Sequence, residues 1–456
     1  MPKDKTSKIA LMQTFITNKP NIFVRFRLWE HRILWAILIG ILAIFLSTIL
    51  INRYLRTPAQ ELMNLGLVAL KNDNQKEAGL FFSKLSARAE PAGQFNLAML
   101  LLQSEDTLSY GRARDLLFQA ASNGFFQAQF NLAVLCLKGV GGPVDLESAQ
   151  FWFVKAAESD DVEAQFMAGS LLLNDSGQEG KLKQAVNWFE KAASAGHVEA
   201  AYRLGRIFYE GEEVNHQRSK DLFLAAAEAG HGGAHYWLGL MALRGQEVPV
   251  NPEEAKKWFS KGSAVGHGPS HYVLATYLLH GIAGVKDYSL AASHAKKASD
   301  SGYAPGKFLL GKLYYQGIGV ALSQRKAFDL IGQSAKAGYP RAQGDFGKMY
   351  LKGIGTSVNE TIAYQWFFKG ASNNDAEAQY NLGLLYLNGV GIRTDLKEAA
   401  IWFVKAAQQN HAAAQYSLGL MYYKGLGMSQ NLEQASRWIR KSGAQGYEPA
   451  LHFLGS

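Results

Sequence analysis

A single cysteine, Cys136, stands in 456 residues, so neither an intrachain disulfide nor a cysteine-based zinc cluster can be built. A lone thiol inside an apolar helical stretch reads as a small hydrophobe. Charged residues are few, at 19%, against 48% hydrophobic ones, and that much apolar surface excludes a disordered chain. The net charge of +9 is lopsided: residues 1–56 hold nine Lys/Arg against Asp4 and Glu30, which leaves only +2 on the other 400 residues. Nucleic-acid binding by counterion release needs a basic surface on the folded part, and so small a net charge argues against it. There is no H-E-x-x-H, nucleophile elbow or phosphate-binding lysine loop. Pairs such as Gly317-Ile-Gly319 and Gly353-Ile-Gly355 follow a helix and lack the third glycine of a nucleotide loop. The chain is therefore read as a non-enzyme that needs no cofactor.

Long apolar runs are also scarce, with one exception. Ile33 to Ile51 holds nineteen residues without a charge, which as a helix spans roughly 28 Å, the thickness of a bilayer's hydrocarbon core. Trp29, Trp35 and Tyr54 flank it as interfacial anchors. The run is longer than a signal peptide's apolar region, starts late, and lacks a small-x-small cleavage site in Asn52 to Thr57, so it reads as an uncleaved signal anchor. Seven Lys/Arg precede it, and the positive-inside rule then keeps residues 1–32 in the cytoplasm and sends the rest across the inner (plasma) membrane.

From Gly93 the sequence returns to itself about every 36 residues, which signals a solenoid. Residues 128–163, 378–413 and 414–449 show it best; the other units open at Gly93, Ala164, Ala200, Ala234, Ser270, Gly306 and Ala342. Each unit parses as two helices. The first runs from the opening small residue to a glycine at the twelfth position in eight of ten units, among them Gly139, Gly211, Gly389 and Gly425, where a left-handed residue closes the helix. The second starts after a polar turn such as Asp395 or Asn431 and carries a tryptophan at one equivalent place (Trp152, Trp188, Trp258, Trp366, Trp402, Trp438), read as a packing ladder. The organisation expected is a basic segment 1–32, a transmembrane helix 33–51, a linker 52–58, a capping helical hairpin 59–92, ten repeats over 93–449 and a truncated repeat 450–456.

The pattern A-x-x-x-L-G, G-x-G, A-x-x-W and K-A-A resembles the Sel-one-like repeat family, a branch of the tetratricopeptide-like helical repeats. Its best single instance is Leu382, Gly383, Tyr386, Gly389, Gly391, Ala399, Trp402, Lys405, Ala406 and Ala407. Residues 164–199 depart from it by lacking the twelfth-position glycine, and 270–305 by carrying His294 in place of the tryptophan. The resemblance implies an all-α, right-handed α/α solenoid and a role as an adaptor in assembling complexes.

If the first helices line the concave face, as in that superfamily, their fourth, seventh and eleventh positions form a groove. Near its middle stand Arg203, Arg206, Trp237, Arg244, His280 and Lys312: an aromatic anchor among cations that suit an acidic peptide. His231/His235 and His267/His271 are spaced four apart like metal ligands, but His197, His231, His267 and His411 share one place in the turn between units, so no metal site is assigned. The expected function is a membrane-anchored scaffold that recruits an envelope protein or cell-wall enzyme, in envelope maintenance or host interaction. Two alternatives stand beside it. Asn174-Asp-Ser176 and Asn359-Glu-Thr361 would suit a lumenal quality-control adaptor of the secretory pathway, and cysteine-rich relatives suggest a hydrolase of β-lactam or cell-wall substrates.

Overall fold

The computed structural model describes residues 58–104, 106–175, 180–211, 214–245 and 249–455. The apolar run 33–51, the segment 1–32 and the linker up to Thr57 lie outside the described residues. Among the described residues no helix is long and apolar enough to cross a membrane.

The chain divides into two compact units, up to Ser159 and from Asp160. In the first, three hairpins follow one another: α1 (Pro58–Lys71) with α2 (Gln75–Ala87), α3 (Pro91–Leu101) with α4 (Thr107–Ser122), and α5 (Phe126–Lys138) with α6 (Leu146–Ala157). The second begins with α7 (Val162–Asn174) and α8 (Lys181–Ser194), α9 (Val198–Glu210) and α10 (His216–Glu228), α11 (Gly232–Arg244) and α12 (Pro252–Ala264), and α13 (Gly268–His280) and α14 (Tyr288–Asp300). It continues with α15 (Ala304–Gln316) and α16 (Gln324–Lys336), α17 (Pro340–Lys352) and α18 (Glu360–Ser372), α19 (Ala376–Asn388) and α20 (Leu396–Gln408), α21 (Ala412–Lys424) and α22 (Leu432–Ala444), and α23 (Glu448–Gly455). All 23 described elements are helices.

Helix starts explain the repeat's phase. Asp375 accepts a hydrogen bond from the Ala378 amide at 2.8 Å, and His411 from that of Ala414 through Nδ1 at 3.2 Å. The alanine that opens each unit in the sequence is thus the third helical residue, and the helix begins two residues earlier than the sequence pattern suggests. Most second helices start at Asn or Asp caps in the same manner, as Asn359 does by accepting from the Ile362 amide at 2.9 Å, while Ser323 caps α16 and α8 follows Gly180 without a side-chain cap.

Helix ends explain G-x-G. Gly389 closes α19 at φ 69°, and Gly391, at φ 69°, brings the loop against the Glu360 carbonyl at the start of the preceding second helix, where a Cβ would collide with backbone. Gly211 is the exception among the eight expected caps. It is extended, at φ −79° and ψ −174°, in a repeat two residues short of the period.

The core differs from the expected ladder. Phe153, Phe189, Phe223, Phe259, Phe367 and Phe403 are fully buried, each one place after the tryptophan or, at Phe223, after Leu222. A ring so placed is worth roughly 1.5–3 kcal/mol on burial. Gly205, Gly239, Gly347 and Gly383 on the partner helices leave room for four of these rings. Of the six tryptophans only Trp402 is buried; the others are half-buried. In the second unit Trp188, Trp258, Trp366, Trp402 and Trp438 each carry the ammonium of the lysine three places on, 4.0–4.6 Å from the ring centroid. The core is a phenylalanine ladder with tryptophan at its rim. Cys136 is buried, with Arg114 Nη2 3.3 Å from its sulfur, and burial pushes its thiol pKa up.

Candidate functional site

Within the second unit the first helices touch one another directly, α11 with α13, α13 with α15 and α17 with α19, in addition to their hairpin partners. They form the tighter row, and the six residues expected to line a groove all lie on it.

Four of the six come together on α9 and α11. Trp237 Nε1 donates to the Tyr202 hydroxyl at 3.4 Å, and its ring lies nearly parallel to Phe223, at 8° and 6.0 Å between centroids. The Arg206 guanidinium sits 5.6 Å from the Trp237 ring and makes two hydrogen bonds to one Glu210 oxygen, at 3.1 and 2.6 Å. Arg203 donates to Glu199 at 2.9 Å and to the Ser170 hydroxyl on α7 at 3.0 Å. Arg244 donates to the Tyr209 hydroxyl at 2.9 Å. Trp237 is therefore a half-buried strut between repeats as well as a surface ring, and Arg203 and Arg206 already hold carboxylates of their own chain. Arg244 is the cation whose partner is neutral.

The other two stand apart. His280 is exposed at the last position of α13. Lys312 begins a separate chain of alternating charge: it bonds Asp345 at 3.0 Å, Lys348 lies 3.7 Å from Asp345 and 2.6 Å from Glu377, and His411 lies 2.9 Å from Glu377. The hydrogen bond from His411, with Lys348 beside it, holds the Glu377 carboxyl far below the usual carboxylate range against the opposing effect of burial. Burial alone would raise the pKa of Glu199, but hydrogen bonds from His231 and Arg203 outweigh it and bring it below the ordinary value.

Asp345, Lys348, Glu377, Glu199, Tyr202 and Tyr209 escaped the sequence reading. A signal for part of this set is present: Glu163, Glu199 and Glu377 each precede an opening alanine, and each faces the histidine that starts the next repeat (His197, His231, His411), at 2.9–3.4 Å. In these three histidines Nδ1 accepts from the backbone, which leaves the Nε2 proton for the glutamate. The rings also stack on the preceding repeat, His197 on Phe166 at 4.3 Å and His411 on Tyr380 at 4.8 Å. The spaced pair His231/His235 is occupied by capping and by a His235 Nδ1 contact to the His231 carbonyl, and His271 faces His294. Among the described residues no group of three or more His, Cys, Asp or Glu could hold a metal ion.

Half-buried aromatic surface, one neutral-paired arginine and exchangeable ion pairs suit a macromolecular contact. The model of the Sel1 repeat matches ten successive segments, 91–125, 126–161, 162–197, 198–231, 233–267, 268–303, 304–339, 340–375, 376–411 and 412–447. Among solved structures, a protective antigen of uropathogenic Escherichia coli with this repeat fold is 28% identical, covers 86% of this chain and 88% of its own, and superposes with a TM-score of 0.59. A Sel1 repeat protein of Oxalobacter formigenes is 26% identical over 71% of this chain and 92% of its own, with a TM-score of 0.48. No curated protein matches significantly. With ten matched segments spanning most of its length, the chain belongs to the Sel1 repeat family, whose tetratricopeptide-like helical repeats serve as scaffolds for protein interaction.

Proposed function

We propose that the chain is a membrane-anchored scaffold whose repeats lie outside the cytoplasm and hold an acidic segment of an envelope protein or cell-wall enzyme on the first-helix row. The observation that carries the binding part is the α9–α11 shelf, where Arg206 lies against the Trp237 ring and Arg244 bonds Tyr209, whose own ring is 4.9 Å from that of Trp237. Arg244 can turn from a phenol to a carboxylate without breaking an ion pair, and a charge-assisted bond is stronger than the neutral one it replaces. The half-buried tryptophan supplies rigid apolar area of the kind that dominates interface energetics. The likeness to a protective antigen supports an extracytoplasmic array, since such a molecule is one that immune effectors meet.

The test is a pull-down from envelope extracts with the full chain and with a Trp237→Ala, Arg244→Glu variant, bound proteins being identified by mass spectrometry. The variant is expected to lose its specific partner by a factor of 10 or more, about 1.4 kcal/mol, with helicity unchanged. Equal capture by both forms overturns the shelf as the binding site.

A further inference from the structure

The small net charge of the repeats conceals a segregation. In the second unit the second helices, α8 through α22, hold 19 Lys/Arg against 10 Asp/Glu. Carboxylates elsewhere in the unit are largely engaged: Asp161, Asp287, Asp375 and Asp395 accept backbone amides as helix caps, and Glu199, Glu210, Asp345 and Glu377 pair with cations of the first-helix row. Lys191, Lys261, Lys297, Lys369, Lys405 and Lys441 occupy one equivalent place near the end of six second helices. All six are exposed, and none is in an ion pair among the described residues.

A cation in the last turn stabilises its own helix dipole, but that role does not call for exposed apolar neighbours. Ile401, 46% exposed, lies one turn before Lys405, and Phe368, 44% exposed, adjoins Lys369. Five of the six lysines also cover the face of a tryptophan, so those rings are not offered as platforms on which bases could stack. Lysines raised on a rim of tryptophan, with aliphatic and aromatic side chains between them, match a bilayer of anionic lipid better than a nucleic acid.

We infer that the second-helix row of the Asp160–Gly455 unit is a docking surface for phosphate headgroups of an anionic bilayer. The row lies on helices other than those of the proposed protein-binding shelf and does not depend on it. A scaffold held this way rests its second helices on the membrane and keeps the first-helix row for its partner.

The test is lysine footprinting with an amine-acetylating reagent on the full chain in nanodiscs of phosphatidylcholine alone or mixed with phosphatidylglycerol, read by peptide mass spectrometry. In the anionic discs the six lysines are expected to react about fivefold more slowly, the factor that roughly 1 kcal/mol per lysine near an anionic surface corresponds to. Lys352 and Lys424, exposed at the ends of first helices, are expected to be unchanged, and about 0.5 M salt should abolish the difference. A Lys369→Glu, Lys405→Glu, Lys441→Glu variant should lose the lipid-dependent protection of Lys261 and Lys297. Equal reactivity in both discs overturns the inference, as does protection of Lys352 and Lys424 to the same degree. Protection by soluble heparin without protection by the discs also overturns it and identifies the row as a polyanion site.

Discussion

His271 and His294 meet Nδ1 to Nδ1 at 2.9 Å, so one must donate and the other accept, and the two facing nitrogens hold a single proton. In several other repeats these places carry glutamine, as at Gln379, and tryptophan, as at Trp402. Burial, with His294 and Lys297 nearby, depresses the His271 pKa to about 4, and burial with His231 nearby does the same for His267. Because the folded values lie below the ordinary 6.5, the neutral rings contribute fully above pH 6.5, and that contribution is lost as pH falls from 6.5 toward 4. Urea unfolding at pH 7.5 and 4.5 is expected to show a loss of roughly 2 kcal/mol that a His271→Gln, His294→Trp variant reduces. The same loss in both proteins would remove this pair as its source. The pairing was invisible in the sequence: the two residues are 23 apart, on helices whose relative rotation only packing sets.

At the scale of the element, the two glycines of G-x-G carry unequal burdens. Gly389 needs a left-handed conformation, whereas Gly391 needs that conformation and also contact with the Glu360 carbonyl of the previous repeat. Gly389→Ala is expected to cost about 1 kcal/mol and Gly391→Ala more, roughly 2–3 kcal/mol, as strain adds to displacement of the loop. Hydrogen exchange should show the second variant loosening α18 along with α19 and α20, and confinement to its own hairpin would refute the bridging role. The helix-closing glycine was readable from periodicity. The bridging one was not, because its reason is a backbone about 30 residues earlier. The same holds for the ladder: tryptophan is the rarer residue and drew attention, yet the phenylalanine beside it points at the axis of the hairpin.

For the whole molecule, the expected arrangement is testable with compartment-specific reporters fused after Thr57 and after Ser456 in a bacterial host. Activity outside the cytoplasm at both points is the expected result, from the seven Lys/Arg that precede residue 33. Cytoplasmic activity at both would reverse the orientation and exclude envelope partners. An array in which each unit touches chiefly its neighbours also confines damage, so substitutions on the α9–α11 shelf should leave the Lys312–Glu377 chain intact.

Composition and period by themselves determined that this chain is a stack of helical hairpins and, to within about two residues, where each hairpin begins and ends. Those properties follow from residues within a few turns of one another: apolar spacing, capping side chains and glycine at the helix end. Tertiary structure alone decided which charges are free. Lys312 to Asp345, Arg244 to Tyr209, Trp237 to Tyr202 and His411 to Glu377 are contacts 33–35 residues apart, the distance of one repeat. A single repeat read in isolation shows an unpartnered arginine or histidine. Stacking the next repeat on it supplies the partner, and that packing leaves the six equivalent lysines of the second helices exposed and, among the described residues, outside ion pairs.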